Sequence, residues 1–555
     1  MRALLLYMAL TLCLAFPLTV RPASHVMRAS PDMKLFMWTL AWDTHAFTHQ
    51  PLAIFEANIY YPERHTLAYS ENLIGSAVFA APVLWLTDNP VLAMNLVALL
   101  SCVLCGLGAY ALARRVGIGE AGATLAGLVF AFSPPRFFRL SQMHLTTIQW
   151  VPFGLASLHA YLDNGLRRDL WLAIAFFTLQ ALTSGHGAVF LIVCALGLVV
   201  YRVAMGEPIA LARRVRDIGL PGLALLAPTL LMFAPYLAVQ REMGLKRTLD
   251  NWGVSWASFA ASPTHVHAWI LSLIPTARIN ERAGAFLFPG YLPILLALVG
   301  VGCLALGQGP DPEDISRRST RRDATIFYAL VTLVSIWLSM GPPVGLWPLV
   351  YWLPGMNFIR VPSRFMVLAV LGLAILSGIG FERLAARFDL RKRRVLAIAI
   401  GALLVAEFAA APLDTDAYVV ERPAIDRWLD GQPKPFAVAE VPLANPRRLG
   451  PWERRHTEYM LHATAHWQKT VEGYSGLRPP LHTKLYEQLT TFPDEPSLRA
   501  LGDLGVAYVV IHTELYAPGE WARVEQRLSQ FQDRLALEHV EGDGRVYAVR
   551  PTQRR

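Results

Sequence analysis

The 555-residue chain has few charged side chains and few cysteines. Only 16% of its residues are charged, against about 25% in an ordinary soluble domain, and its mean hydropathy is +0.37. This composition excludes a soluble enzyme. All the cysteines fall inside apolar segments, so none is placed to form a disulfide in a polar domain; they are Cys13, Cys102, Cys105, Cys194 and Cys303.

The net charge of +9 does not indicate a nucleic-acid partner. The arginines cluster in short loops between apolar segments, which is the pattern expected of the cytoplasmic loops of a membrane protein. We therefore expect membrane lipids to surround the chain and exclude nucleic acid as a ligand.

Apolar runs fill roughly the first 412 residues. In hydrocarbon each run must form a helix, and about 17 to 25 residues are needed to cross. The sequence predicts about eleven transmembrane helices, at 3–20, 91–113, 119–134, 148–163, 169–184, 187–204, 218–239, 286–307, 325–341, 364–382 and 395–412. For the first run, a cleaved signal peptide is the competing interpretation.

Segment 73–86 is apolar but short and contains Pro82, which favours an interfacial or re-entrant helix. If it does not cross and the N-terminus is cytoplasmic, every arginine-rich loop lies on the cytoplasmic side. That topology places outside the long first loop 21–90, the loops near 134–147 and 240–285, segment 342–363 and the tail 413–555, together with the turn around His186.

The tail lacks long apolar runs and alternates short strands with amphipathic helices. Strands are predicted at 436–442, 505–511 and 545–550, and helices at 496–504 and 520–536. The predicted architecture is therefore a mainly α, polytopic membrane domain over 1–412, followed by a small extracytoplasmic α/β domain over 413–555.

Polar side chains concentrate on the outer face. The first outer loop is rich in aromatics and carries Asp32, Asp43, His45 and Glu56, so it can lie at the headgroups and present carboxylates to a lipid-borne substrate. Asp32 follows the first membrane helix and is our first candidate base, with Asp43 and its neighbour His45 second. On one helix these carboxylates would be about 16 Å apart.

Cations on the same face are candidates for phosphate binding. Arg139 and His144 lie in the second outer loop, His186 lies in an outer Thr-Ser-Gly-His-Gly turn, and Arg360 and Arg364 precede a membrane helix. Arginine suits bidentate phosphate contacts, and arginines on the outer side require a compensating anion. The alternatives are an aromatic and basic belt at the membrane surface, or pairing with loop carboxylates.

Four stretches carry a resemblance to known families: WTLAWDTHAFTHQPLAIFEANIYYPERHTLAYSEN, PGMNFIRVPSRF, HATAHWQKTVEGYSGLRPP and LGVAYVVIH. Through them and the predicted topology, the chain resembles the GT-C membrane glycosyltransferases and, more closely, bacterial multi-pass proteins of the YfhO-like group. The resemblance implies a GT-C-like fold in the bacterial cytoplasmic membrane and a sugar donor carried on polyprenyl phosphate. It also implies a lipid, glycan or protein acceptor.

By position, the resemblance makes Asp32 or Asp43 the catalytic base or acceptor-binding group, and Arg139, His144, Arg360 and Arg364 the donor-phosphate ligands. His45, Glu56 and His186 are further substrate-binding candidates. An aspartate, with an ordinary pKa near 3.9, would act by orientation and concerted proton removal, or by binding a divalent metal. The competing functions are a transporter or flippase and a non-catalytic protein of envelope assembly.

Overall fold

The computed structural model describes residues 1–206, 211–243, 249, 253–273, 278–305, 315–342, 344–353, 356, 359–445 and 449–550. Parts of the predicted outer segments 240–285 and 342–363, and of the charged loop near 308–323, lie outside these residues. The chain divides into two compact units. Unit 1 comprises residues 1–22, 95–232 and 246–415, and unit 2 comprises residues 23–94, 233–245 and 416–555.

The fold is mainly helical. In chain order, the α-helices of the described residues are α1 (Arg2–Leu14), α2 (Pro31–His49), α3 (Ile74–Thr87), α4 (Pro90–Arg115), α5 (Glu120–Phe132), α6 (Pro134–Phe137), α7 (Met143–Thr146), α8 (Trp150–Asn164), α9 (Arg167–Thr183), α10 (Gly185–Ala204), α11 (Leu211–Glu242), α12 (Trp256–Phe259), α13 (His265–Ser272), α14 (Ile279–Arg282), α15 (Tyr291–Ala305), α16 (Ile315–Ser339), α17 (Trp347–Val350), α18 (Met366–Ala385), α19 (Leu390–Phe408), α20 (Ala424–Asp430), α21 (Leu449–His462), α22 (Pro480–Leu489), α23 (Glu495–Asp503) and α24 (Pro518–Leu528).

The strands are short and belong to unit 2. They are β1 (His25–Val26), β2 (Asp416–Ala417), β3 (Ala437–Val441), β4 (Lys469–Thr470), β5 (Tyr508–His512), β6 (Leu535–Glu541) and β7 (Gly544–Val549). The predicted tail strands coincide with β3, β5 and β7, and the helix predicted at 496–504 coincides with α23. The helix predicted at 520–536 is shorter, because α24 ends at Leu528 and β6 begins at Leu535.

Among the described residues, five helices are long and apolar enough to cross a membrane by length and composition: Pro90–Arg115, Gly185–Ala204, Arg213–Glu242, Arg321–Ser339 and Pro362–Ala385. Shorter apolar helices occupy Arg2–Leu14, Ile74–Thr87, Glu120–Phe132 and Tyr291–Leu304. Every predicted membrane segment contains a helix, but a count of eleven crossings stays a prediction. The helix at 74–87 has the short length expected of an interfacial or re-entrant segment.

Helix α18 forms the centre of unit 1. Its apolar window is 94% buried within the protein. Small residues let neighbouring backbones approach it closely, which is how helices pack where no hydrophobic effect drives them together. A side chain added at Gly380 would meet the Leu296 carbonyl of α15 at 1.9 Å, and one at Gly378 would meet the Gly122 carbonyl of α5 at 2.8 Å.

Helix α11 is interrupted in its first half. Gly219 has a φ of 55° and a ψ of −172°, outside the helical region, and Pro221 follows it. Glycine tolerates this left-handed φ without steric cost, and proline supplies no amide to the preceding turn. The apolar stretch of this segment therefore starts after the break.

Unit 2 contains a five-stranded mixed sheet of order β4-β3-β5-β7-β6 in its described part. Strand β3 is parallel to β4 and β5, while β7 is antiparallel to β5 and β6. Side chains alternate between two apolar cores: Val438 and Val510 lie in the core with α20, and Ala439, Val509 and Ile511 in the core with α22, α23 and α24. The sheet is therefore covered on both faces.

The predicted first outer loop belongs to the same compact unit as the tail. Strand β1 pairs with β2, and helix α2 packs against α3 and α21. The amide of Tyr61 donates to the carbonyl of Thr470 at 2.9 Å. Residues 23–94 thus fold with residues 416–555, because their backbone groups find hydrogen-bond partners there.

We predict that Gly380→Ala lowers the Tm of the detergent-solubilised protein, because the new methyl group must force α15 away from α18. Overpacking of this kind costs about 1–3 kcal/mol. The matched control is Gly302→Ala on α15, where an added methyl group meets no atom within 4 Å and alanine favours the helix. A Gly380→Ala protein as stable as the Gly302→Ala protein would contradict this packing.

Candidate functional site

Asp32 lies in the first turn of α2 in unit 2. The helix begins there because the Ser30 hydroxyl accepts the amide of Met33 at 3.2 Å and Pro31 occupies the first turn. A carboxylate at this end is favoured by the helix dipole. The Tyr474 hydroxyl donates to Oδ1 of Asp32 at 2.8 Å, so the half-buried carboxylate is held in one orientation.

Asp43 is on the same continuous helix but is completely buried. Neither carboxylate oxygen has a hydrogen-bond partner among the described residues. Burial raises the pKa of this carboxyl well above its ordinary value of 3.8, since an unpaired charge is strongly disfavoured there. Burial thus favours the protonated form of Asp43, and the half-buried Asp32 is the better-placed candidate base.

His45 is held between two aromatic rings. The ring of Trp467 stacks on it at 4.3 Å and the ring of His49 at 4.1 Å, both nearly parallel to it. Burial, with smaller contributions from His49 and Lys434, lowers the pKa of His45 to about 4. Parallel stacked imidazoles do not direct their nitrogen lone pairs at a common ion, and the described residues contain no cluster of three or more metal-ligating side chains.

Glu56 is paired within its own loop. Its Oε1 lies 2.8 Å from Nδ1 of His65, and its Oε2 accepts the His65 amide at 3.3 Å. His65 has a φ of 53°, and the bond to its amide stabilises this left-handed backbone. The observed role of Glu56 is thus to shape the first loop.

Three of the predicted cationic candidates meet in unit 1. Nη1 of Arg364 donates to Nε2 of His186 at 2.6 Å, and the rings of His186 and His144 are 4.9 Å apart. Because a guanidinium can only donate, Nε2 of His186 is an acceptor, so this imidazole is neutral and its Nδ1 carries the proton. We call these residues the His-Arg cluster.

The cluster lies at the N-terminus of α10. Ser184 caps this helix by accepting the amide of Gly187, and the Ser184 hydroxyl donates to the His144 carbonyl at 2.6 Å. Next to Arg364, Phe365 packs edge-on against Phe190 of α10 at 5.4 Å. Gly187 allows close approach of the Gln180 side chain, which fills the space that a Cβ would need.

The other predicted cations differ in their surroundings. Arg139 is bonded within its own loop, with Nε donating to the Pro135 carbonyl at 3.0 Å and Nη1 to Oε1 of Gln142 at 2.9 Å. The Arg360 side chain is exposed, whereas Arg364 is half-buried. Nearby, Arg136 is fully buried and structural, because it donates to the carbonyls of Ala131 and Thr146.

Sequence reasoning did not link Tyr474 to the site. The ring of Tyr474 lies 5.6 Å from the ring of Trp452. Trp452 in turn contacts the ring of His456, and His456 contacts the ring of His482. Neither imidazole has a hydrogen-bond partner on either nitrogen among the described residues, and burial lowers the pKa of His456 well below 6.5. No local signal reveals the bond to Asp32, because the two residues are 442 positions apart.

The described helices thus define a mainly helical protein with the composition of a multi-pass membrane chain. No family model and no curated protein matches the sequence. Among solved structures, it is similar to the archaeal oligosaccharyltransferase AglB from Archaeoglobus fulgidus, solved with an inhibitory peptide and a dolichol-phosphate. The identity is 13% and the TM-score 0.49, over 100% of this chain and 74% of that chain.

It is also similar to ArnT from Cupriavidus metallidurans. For the structure bound to undecaprenyl phosphate, identity is 14% and the TM-score 0.49, over 98% of this chain and 97% of that chain. For the apo structure, identity is 15% and the TM-score 0.48, with the same coverage. TM-scores below 0.5 do not establish a common fold, so these similarities assign neither fold nor activity to this chain.

We predict that Asp43→Asn raises the Tm near pH 7. The pKa of Asp43 is higher in the folded protein than in the unfolded chain. The stabilising contribution of the protonated carboxyl is therefore complete below the unfolded-state pKa and declines as the pH rises towards the folded-state pKa. Between these two pKa values the free energy of unfolding falls by about 1.4 kcal/mol per pH unit. The amide variant has no such loss, and its advantage should grow from about pH 4 upwards.

The measurement is the Tm of both proteins between pH 4 and pH 8 in the same detergent. Asp503→Asn is the control, because Asp503 is exposed at the end of α23. Parallel Tm profiles for wild type and Asp43→Asn would show that Asp43 ionises normally in the folded protein, contrary to its burial.

Proposed function

We propose that this chain is an integral membrane glycosyltransferase that moves a sugar from a polyprenyl-phosphate donor to a lipid, glycan or protein acceptor. The observation that carries the proposal is the His-Arg cluster, a cation and two imidazoles at the N-terminus of a long apolar helix. Such a cluster suits an anion, and an anion beside an apolar helix is what a lipid phosphate supplies.

The charge of Arg364 suits a phosphate. A guanidinium is not deprotonated in proteins, so Arg364 carries a positive charge beside the two imidazoles. A phosphate oxygen has a higher affinity for a guanidinium than a neutral imidazole nitrogen does, and two parallel hydrogen bonds fit its geometry. The amide groups and dipole at the start of α10 add attraction for an anion.

Asp32 is assigned to the acceptor. It is a half-buried carboxylate that the Tyr474 hydroxyl holds in one orientation, and we assign it to the acceptor hydroxyl. The acceptor oxygen attacks the anomeric carbon, the bond between that carbon and the phosphate oxygen breaks, and polyprenyl phosphate leaves with the electron pair. The acceptor proton passes to Asp32, which works chiefly by orientation because an aspartate is a weak base.

The proposed location is the bacterial cytoplasmic membrane, with a cytoplasmic N-terminus and the chemistry on the outer face. The arginine-rich loops favour this orientation. In it, residues 1–412 provide the membrane-embedded part, residues 21–90 an outer loop with interfacial helices, and residues 413–555 the extracytoplasmic part. A divalent metal at Asp32 is an alternative to direct proton removal.

We predict that wild-type protein in lipid nanodiscs releases free polyprenyl phosphate from short-chain polyprenyl-phosphate sugars when acceptors are supplied, as measured by mass spectrometry. Asp32→Asn should lower the turnover about 100-fold or more, as expected for loss of a general base. Arg364→Ala should chiefly raise the KM for the donor. Asp503→Asn and Arg387→Ala, both at exposed positions, are the charge-matched controls.

Donor cleavage that survives both Asp32→Asn and Arg364→Ala in folded protein would contradict the residue assignment. Absence of cleavage with every donor and acceptor would instead favour the transporter or the assembly protein. Movement of the intact lipid-linked sugar across the bilayer would then identify the transporter.

We also predict that Tyr474→Phe lowers kcat about tenfold with little change in the donor KM, because the loss of one hydrogen bond to a charged group leaves Asp32 free to rotate. The double variant with Asp32→Asn should lose no more than Asp32→Asn alone, since both changes act through one carboxylate. Tyr508→Phe removes a hydroxyl elsewhere in unit 2 and is the control. Additive losses would assign Tyr474 a role separate from Asp32.

A further inference from the structure

The sheet of unit 2 has a cavity at one edge that the proposed transfer reaction does not use. Its volume is about 650 Å³, within the range of about 300–1,000 Å³ that is typical of small-molecule sites. It is lined by residues from the ends of β3 and β5, from α21 between Arg454 and His462, from the start of α20 and from the turn between β6 and β7.

The position of the cavity follows from the order of the strands. After β3 the chain runs through α21 to β4 on one side of β3, whereas after β5 it runs through α24 to β6 and β7 on the other side. The two adjacent parallel strands therefore send their connections in opposite directions. Open α/β sheets bind ligands at the carboxyl ends of strands where this reversal occurs.

The lining has an excess of negative charge. Its described residues include six carboxylates and two guanidiniums, with the carboxylates on Asp426, Glu440, Glu458, Glu514, Glu541 and Asp543. Lys34 pairs with Glu458, and histidines lie beside Asp426 and Glu440. Even with these partners counted as cations, carboxylates remain in excess.

Two buried groups in the cavity are arranged for polar recognition. Glu440 is 6% exposed, and its Oε2 lies 2.5 Å from Nε2 of His512. The ring of Tyr459 stacks on that of His512 at 5.0 Å. Tyr459 is 7% exposed, so its ring forms a packed wall of the crevice behind His512.

We propose that this crevice, whose lining includes none of the residues assigned to sugar transfer, is a second ligand site and that it takes a small polar molecule carrying a protonated amine. The amine pairs with the excess carboxylates around Glu440, and the polar remainder lies along the other polar side chains of the lining. Association of a charged ligand with an oppositely charged cleft is favoured by the summed field of the lining.

The test is isothermal titration of the full chain in nanodiscs with glucosamine, N-acetylglucosamine and spermidine. Glucosamine and its N-acetyl derivative share the sugar ring but differ in the charged amine. We expect saturable binding of both amines and at least tenfold weaker binding of N-acetylglucosamine. Equal binding of the two sugars, or no binding of either amine, would overturn the proposal.

Variants locate the binding. Glu440→Gln should weaken amine binding about tenfold through loss of a charge-assisted hydrogen bond. The double variant Glu514→Gln/Asp543→Asn, at the exposed rim of the crevice, should weaken amine binding as well. This variant still tests the proposal if Glu440→Gln prevents folding. The charge-matched control is Glu487→Gln, because Glu487 is exposed on α22 and does not line the crevice. Unchanged amine affinity in the rim variant would refute the assignment.

Discussion

Three backbone hydrogen bonds between residues 58–61 and residues 468–472 determine the arrangement of unit 2. Tyr60 donates to the Glu472 carbonyl at 3.0 Å, Tyr61 to the Thr470 carbonyl at 2.9 Å, and Thr470 to the Asn58 carbonyl at 2.7 Å. Without them, these buried amide and carbonyl groups would lack partners, at a cost of about 1–3 kcal/mol each. They also place Tyr474, immediately beyond this pairing, where it can reach Asp32.

Local periodicity was sufficient to predict much of the fold. Alternating apolar residues identified β3, β5 and β7, and a 3.6-residue pattern identified α23, because these signals reside in neighbouring residues. The association of residues 23–94 with the tail could not be predicted in this way. It depends on backbone pairs about 400 positions apart, and their register leaves no mark in either segment alone.

The candidate site was predicted in composition but not in detail. Arg364 was identifiable because a cation beside an apolar helix is costly and needs a compensating anion, and His186 was identifiable by its position in a turn between two apolar segments. The burial of Asp43 was not identifiable, since the aromatic residues around it suit an interfacial loop and a packed helix equally well. The cavity of unit 2 was missed because it forms only when the ends of β3 and β5 lie side by side.

The discontinuity of unit 2 has a consequence for biosynthesis. A ribosome adds about 5–20 residues per second, so the roughly 400 residues between Asn58 and Gln468 take about 20–80 s to synthesise. During this interval the first loop has left the ribosome while its pairing partner does not yet exist. Unit 2 can therefore complete its fold only after nearly the whole chain has been made.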